Sequence, residues 1–307
     1  MRMRWLALGG GLGWLALVLI VALLSDLGAG SAVLFAALGL MVVAGLVYVQ
    51  SIPARITTAA DGVRSALPAK DAPVSATFDD EVLAQVTTAV TGAVVPELKR
   101  TFRQVEALHN LYAMIDIEHA LPASRGWPAS PDLLLLLVDL VDRHRPRLVV
   151  ECGSGLSTLC LALAMRRFGI EGKVIALEHL EEYAEQTREL LRRHGVDDLA
   201  EVRTAPLQRL AVGGLSVEWY ARDAWQDLAG VDLLFVDGPP SAASPHARYP
   251  AVPLFAERLT PGAHVVLDDF QRPEERDVVK RWRRELGDRI TLERVPLEKG
   301  AALLTLA

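Results

Sequence analysis

The sequence predicts an α/β fold over residues 125–307: a doubly wound, mostly parallel seven-stranded sheet ending in a C-terminal β-hairpin, preceded by two transmembrane helices and a helical region. Three observations predict it. After Trp127, short β-rich runs alternate with helical stretches, the pattern of strands joined by crossover helices. The first of these runs leads into a turn holding two glycines and then into a helix. Ahead of them all, Trp5–Leu24 and Ser31–Val49 carry no charged residue.

Each uncharged run is long enough to cross a membrane, since twenty residues at a rise of about 1.5 Å span about 30 Å. A cleaved signal peptide is the alternative for the first, given Arg2 and Arg4 and the small residues Ala29–Ala32, but a second apolar run follows at once. Residues 1–50 are therefore expected to form a transmembrane hairpin. Arg2 and Arg4 on one side, Arg55, Arg64 and Lys70 on the other, and only Asp26 between the spans place both termini and everything beyond residue 50 in the cytoplasm. Residues 51–76, rich in Ala, Pro, Ser and Thr, are expected to be a linker.

Residues 77–124 read as a helical region of two helices over Asp79–His119, interrupted at Pro96. Val105, Leu108, Leu111, Tyr112 and Ile115 form one apolar stripe, fitted to pack on the following domain or to pair two copies of the chain as a homodimer. From Pro131 a helix is expected through the apolar run Leu133–Val141. Five strands follow at Leu148–Cys152, Val174–Glu178, Glu201–Thr204, Leu233–Asp237 and Val265–Asp268. Ile290–Val295 and Ala301–Leu306, joined through Lys299-Gly300, supply the closing hairpin.

Composition removes several function classes. With 32 basic and 38 acidic residues the net charge is −6, so no basic field points to nucleic acid. Cys152 and Cys160 have neither the number nor the spacing of a disulfide framework or a zinc site.

Chemistry concentrates at the strand ends. Glu151-Cys-Gly-Ser-Gly-Leu-Ser-Thr158 joins the first strand to a helix, where missing Cβ atoms let backbone approach a ligand and helix N–H groups point outward. The second strand ends in Glu178, 25 residues after Gly153, where an acid can accept both hydroxyls of a ribose. The fourth strand ends at Asp237 and the fifth at Asp268-Asp269, so these acids should converge in the crevice beyond the carboxyl ends of the sheet. Three carboxylates suggest an oxygen-preferring cation such as Mg²⁺ at Asp237, Asp268 and Asp269. The other reading has Asp237 capping a turn while the pair bonds to backbone and to a cofactor amine. His246, Arg248 and Tyr249 lie in the loop Ser241–Pro250, and His246 is a candidate base. Trp127 is placed to pack on a ligand or within the core. The charged run Arg272–Arg284 reads as the exposed face of a helix.

The acid before a Gly-x-Gly turn, Glu151, Gly153 and Gly155, together with Glu178, resembles the class I S-adenosylmethionine-dependent methyltransferases over residues 125–307. Ser157 stands where a third glycine is common. The resemblance implies a Rossmann-like fold and a cofactor seat made of Glu151, Gly153, Ser154, Gly155 and Ser157. It also implies Glu178 at the ribose, His179 and Ala205 near the adenine, and Asp237 at the edge of the seat. The strand-end acids are similar to those of catechol and macrocin O-methyltransferases, which implies that Asp237, Asp268 and Asp269 hold a Mg²⁺ that binds acceptor hydroxyls. The expected acceptor is a small molecule, a glycan or a lipid-linked hydroxyl compound at the membrane face. A nicotinamide-dependent oxidoreductase and an inactive membrane scaffold on the same fold are the alternatives.

Overall fold

The computed structural model describes residues 80–124 and 128–307. The chain divides into two compact units between Leu98 and Lys99, and of the first only the helical residues from Asp80 are described. The expected hairpin at 1–50, the linker at 51–76 and Trp127 lie outside the described residues. Among the described residues, no helix is long and apolar enough to cross a membrane. The two spans, and the multi-pass placement and cytoplasmic topology built on them, are not borne out; the sheet domain is.

The helical region is one helix rather than two. Helix α1 (Asp80–Met114) runs through Pro96, which forfeits one backbone hydrogen bond without ending the helix. The expected homodimer through this region is also corrected. Part of the apolar stripe is used within the chain: Ala107, Leu111 and Ile115 are buried, and Leu111, Ile115 and Leu108 belong to a core shared with the sheet domain. Val105 and Tyr112, from the same stripe, remain exposed.

The sheet domain has the predicted architecture. Helix α2 (Pro131–His144) begins with proline at its first turn and buries Leu133, Leu134, Leu137, Val138, Leu140 and Val141, each contributing about 1.5–3 kcal/mol. Then come β1 (Leu148–Cys152), α3 (Leu156–Phe168), β2 (Lys173–Glu178), α4 (Glu181–Arg193) and β3 (Ala200–Thr204). After β4 (Leu207–Val212) and β5 (Leu215–Tyr220) the order is β6 (Val231–Val236), α5 (Ala251–Phe255), β7 (Leu259–Leu267), α6 (Pro273–Leu286), β8 (Ile290–Val295) and β9 (Ala301–Leu306). Seven strands form one sheet in the order β3-β2-β1-β6-β7-β9-β8. The pairs from β3 to β7 are parallel, and β9 pairs antiparallel with both β7 and β8.

Alternation along the strands builds two cores. Val149, Val174, Ala176, Leu233, Phe235 and Val266 face the core shared with α2 and α3. Val150, Ile175, Leu177, Leu234, Val236 and Val265 face the second, filled by Trp219, Tyr249, Phe255 and Trp282. Cys152 and Cys160 are buried free thiols. Strand order reverses between β1 and β6, so the crevice for a ligand lies at their carboxyl ends.

The antiparallel pair β4–β5 was not expected, although its signal is in the sequence: Val212-Gly213-Gly214-Leu215 is a two-residue hairpin turn. Both glycines have left-handed φ, 53° and 76°. A side chain at Gly213 would also overlap the Tyr249 hydroxyl, which donates to Glu285 on α6, whereas one at Gly214 meets open space. Gly213→Val is therefore expected to lower stability by about 1–3 kcal/mol, clearly more than Gly214→Val. Thermal melts of the two variants check this, and equal midpoints would remove Tyr249 as the anchor of the turn.

Candidate active site

The turn after β1 is held by β2 and by its own helix. The Gly153 N–H donates to the Leu177 carbonyl at 2.9 Å, and Gly153 and Gly155 take φ values of 109° and 147°. A Cβ on Gly155 would meet nothing within 4 Å, so this side of the turn is open, beside the unpaired N–H groups that begin α3. That is the cradle an anionic or zwitterionic ligand requires.

Glu151 fixes the turn from beneath. It lies on the Val149 face of β1, is almost fully buried, and accepts hydrogen bonds from the Ser157 hydroxyl and, at 2.7 Å, from the Thr158 hydroxyl. The Thr158 oxygen in turn accepts from the Gly155 N–H at 3.0 Å. Burial pushes the Glu151 carboxyl up to about 8 against the pull of the two hydroxyls, and the charges of Asp237 and Glu178 add to the rise. Ser157, in place of a third glycine, thus has a partner of its own.

Glu178 closes the next corner. Its Oε1 accepts from the Leu180 N–H at 3.0 Å and from His179 Nδ1 at 2.9 Å, and its Oε2 lies 3.3 Å from the Ser154 hydroxyl. Burial raises its pKa, but the bonds from His179 and the Leu180 N–H outweigh that and hold the carboxyl below its ordinary value. It stays an ionised acceptor with lone pairs to spare. Ser154 also meets the Thr187 hydroxyl at 3.0 Å. Ala205 is fully buried, and its N–H donates to the Glu178 carbonyl at 2.7 Å, so it ties β3 to the end of β2.

The three aspartates converge as predicted. One ligand atom from each of Asp237, Asp268 and Asp269 lies within 4.8 Å of the others. Asp237 is beside the glycine turn: its N–H donates to the Cys152 carbonyl at 3.1 Å, and a Cβ on Gly153 would sit 4.0 Å from its carbonyl carbon. Its side chain is 23% exposed against 6% for Asp269, so it is the member that opens to the crevice. Asp269 takes a left-handed φ of 58°, a conformation aspartate tolerates better than most residues. Burial, then the charges of Asp237 and Asp269, push Asp268 up to about 7, and its Oδ2 has no hydrogen-bond partner. Asp237 is raised too, by burial and by Asp269, against the opposing charges of Arg248, Lys299 and Arg272.

Arg248 enters this cluster from the loop before α5. Its Nη2 donates to Asp237 Oδ1 at 3.1 Å, to the Asp237 carbonyl at 2.7 Å and to Asp269 Oδ2 at 2.9 Å. Its Nη1 donates to the Asp268 carbonyl at 3.1 Å and lies 3.8 Å from Glu275. Arg272 adds a second cation, 3.0 Å from Asp269 Oδ2. Asp237 and Asp269 are therefore paired to a fixed guanidinium, whereas Oδ2 of Asp268 has no partner. A divalent ion held by all three would face that guanidinium across oxygens that both would share.

His246 is directed elsewhere. Its Nε2 pairs with Asp277 on α6 at 2.9 Å and its N–H donates to Glu274, so the bonds it makes pin the loop to α6 and include none of the three aspartates. The charged run on α6 is only partly a solvated face, because Glu275 and Trp282 are buried. Two contributors went unrecognised in the sequence. Arg248 reads from sequence only as a loop residue, because its partners lie 11 to 27 positions away, beyond any local pattern. Tyr220, at the end of the unexpected hairpin, places its hydroxyl against Gly238, where any side chain would overlap it. Burial raises its pKa well above the usual value.

Residues 150–270 match the family model described as "Methyltransferase domain". No curated protein matches the chain. Among solved structures, an O-methyltransferase from Bacillus cereus in complex with SAH is 21% identical, with a TM-score of 0.45 over 72% of this chain and 97% of that one. A methyltransferase from Geobacter sulfurreducens is 18% identical, with a TM-score of 0.44 over 67% and 90% of the two chains. An SAH-bound methyltransferase from Podospora anserina is 15% identical, with a TM-score of 0.46 over 75% and 97%. Likenesses this distant carry neither substrate nor mechanism.

Proposed function

We propose that the chain, whose residues 150–270 match a methyltransferase domain, uses S-adenosylmethionine to methylate the oxygen of a small hydroxyl-bearing acceptor. The observation that carries this reading is Asp237, whose backbone lies beside the glycine turn and whose carboxylate, raised in pKa, opens to the crevice. A hydroxyl oxygen is a poor nucleophile until its proton has somewhere to go, and Asp237 supplies that acceptor.

S-adenosylmethionine supplies an electrophilic methyl group and needs no activation from the protein. The chain's work is positioning. Gly153 and Gly155 give the ligand backbone access, with Ser154 on the rim of the turn. Glu151 holds the turn in shape through Ser157 and Thr158. Glu178 would accept the ribose hydroxyls, with His179 bordering the adenine side. Asp237 would orient the acceptor hydroxyl and take its proton. Asp268 and Asp269 set the charge around Asp237, and His246 steadies the loop through Asp277.

The test is an acceptor screen. The full chain is incubated with methyl-labelled S-adenosylmethionine and a panel of phenols, catechols, sugars, amines and thiols. Label in an O-methyl product is expected. Label confined to nitrogen or sulfur acceptors would contradict the oxygen specificity while leaving methyl transfer itself in place.

A further inference from the structure

Four carboxylates crowd the far side of the crevice, and the chain balances them from its own residues. Asp237, Asp269 and Glu275 pair with the guanidinium groups of Arg248 and Arg272, and Asp268 gives Arg248 its backbone carbonyl. Arg248 is the centre of the arrangement. It is nearly fully buried, and its planar fork bonds two carboxylates and two carbonyls from different strand ends at once. A lysine ammonium is a point charge and could not span them in the same way.

Resting on the methyl-transfer reading above, we propose that Arg248 is the resident cation of this site, standing in the place a divalent ion would take, so that transfer proceeds without metal. Arg248 is then a positioning residue. It joins the end of β6 to the turn after β7 and holds Asp237 facing the crevice. The left-handed Asp269 serves the same arrangement, since its carboxylate meets both Arg248 and Arg272. Where an ion would be captured from solution and lost to chelators, a side chain is always present. The crevice then keeps its charge balance whatever the metal supply.

The test is titration with Mn²⁺ alone, followed by paramagnetic resonance, on the full chain after exhaustive chelation. No acceptor is needed, so the result is independent of whether oxygen is the methyl acceptor. The wild-type chain is expected to show no stoichiometric Mn²⁺ site. Arg248→Ala, which leaves the aspartates without their partner, is expected to bind one Mn²⁺ per chain, at least tenfold more tightly than wild type. Arg248→Gln, which keeps some of the hydrogen bonds and is less disruptive to folding, is expected to do the same more weakly. A stoichiometric micromolar site in the wild-type chain would overturn the proposal. So would folded Arg248 variants that bind no Mn²⁺, because the guanidinium would then not occupy the ion's place. If neither variant folds, the wild-type titration decides alone.

Discussion

Asp237→Asn is expected to lower the rate of methyl transfer by about 10²–10⁴-fold while leaving S-adenosylmethionine affinity largely unchanged. The substitution keeps the size of the side chain and an oxygen for Arg248, but removes the group that accepts the acceptor's proton. Loss of kcat with a steady cofactor KM is the pattern such a role predicts. The wild-type enzyme should also show an acid limb in its pH profile. The carboxylates that matter carry raised pKa values: Asp268 is pushed up to about 7, and Asp237, beside it, is raised by burial and by Asp269. A carboxyl group accepts a proton only when ionised, so activity rises with pH through the neutral range and is lost below it. Because the two acids interact, the limb belongs to the pair rather than to either one. In Asp237→Asn any residual activity should lose most of this dependence. An Asn variant with full kcat and an unaltered profile would move the proton acceptor elsewhere in the crevice.

The second large effect is on the cofactor itself. Glu178→Ala should weaken S-adenosylmethionine binding by about 10- to 100-fold, the cost of removing hydrogen bonds to an ionised acceptor. Its carboxylate is kept charged by His179 and the Leu180 N–H and lies at the end of β2, beside the glycine turn. The same carboxylate also steadies Ser154, so thermal melts of the variant should accompany the titration. A folded Glu178→Ala with wild-type affinity would show that the ribose binds elsewhere.

How much of this was legible in the sequence follows from the range of the interactions involved. The strands and their ends are written locally, in β-rich runs of five or six residues and in the turn at Gly153–Gly155, so the seven-stranded sheet and the convergence of Asp237, Asp268 and Asp269 were readable. The β4–β5 hairpin is equally local, and Gly213-Gly214 marks its turn, but its strands are short and carry a weak alternation. Pro96 misled in the opposite direction, because one lost hydrogen bond is not enough to break a helix of 35 residues. The apolar stripe on α1 predicted burial but could not say against what. What no window of sequence contained was Arg248. Its role exists only once the loop before α5 folds over the ends of β6 and β7, and the acid cluster read in isolation asked for a counter-charge without showing that the chain supplies it. His246 illustrates the same limit, since its partner Asp277 is 31 residues away on α6.

The most direct test of the account is calorimetric titration of the full chain with S-adenosylmethionine and S-adenosylhomocysteine, in EDTA and again with added Mg²⁺. The account predicts one site per chain, micromolar affinity for both compounds, and the same binding with and without the metal. A folded chain that takes up neither compound under either condition would contradict it.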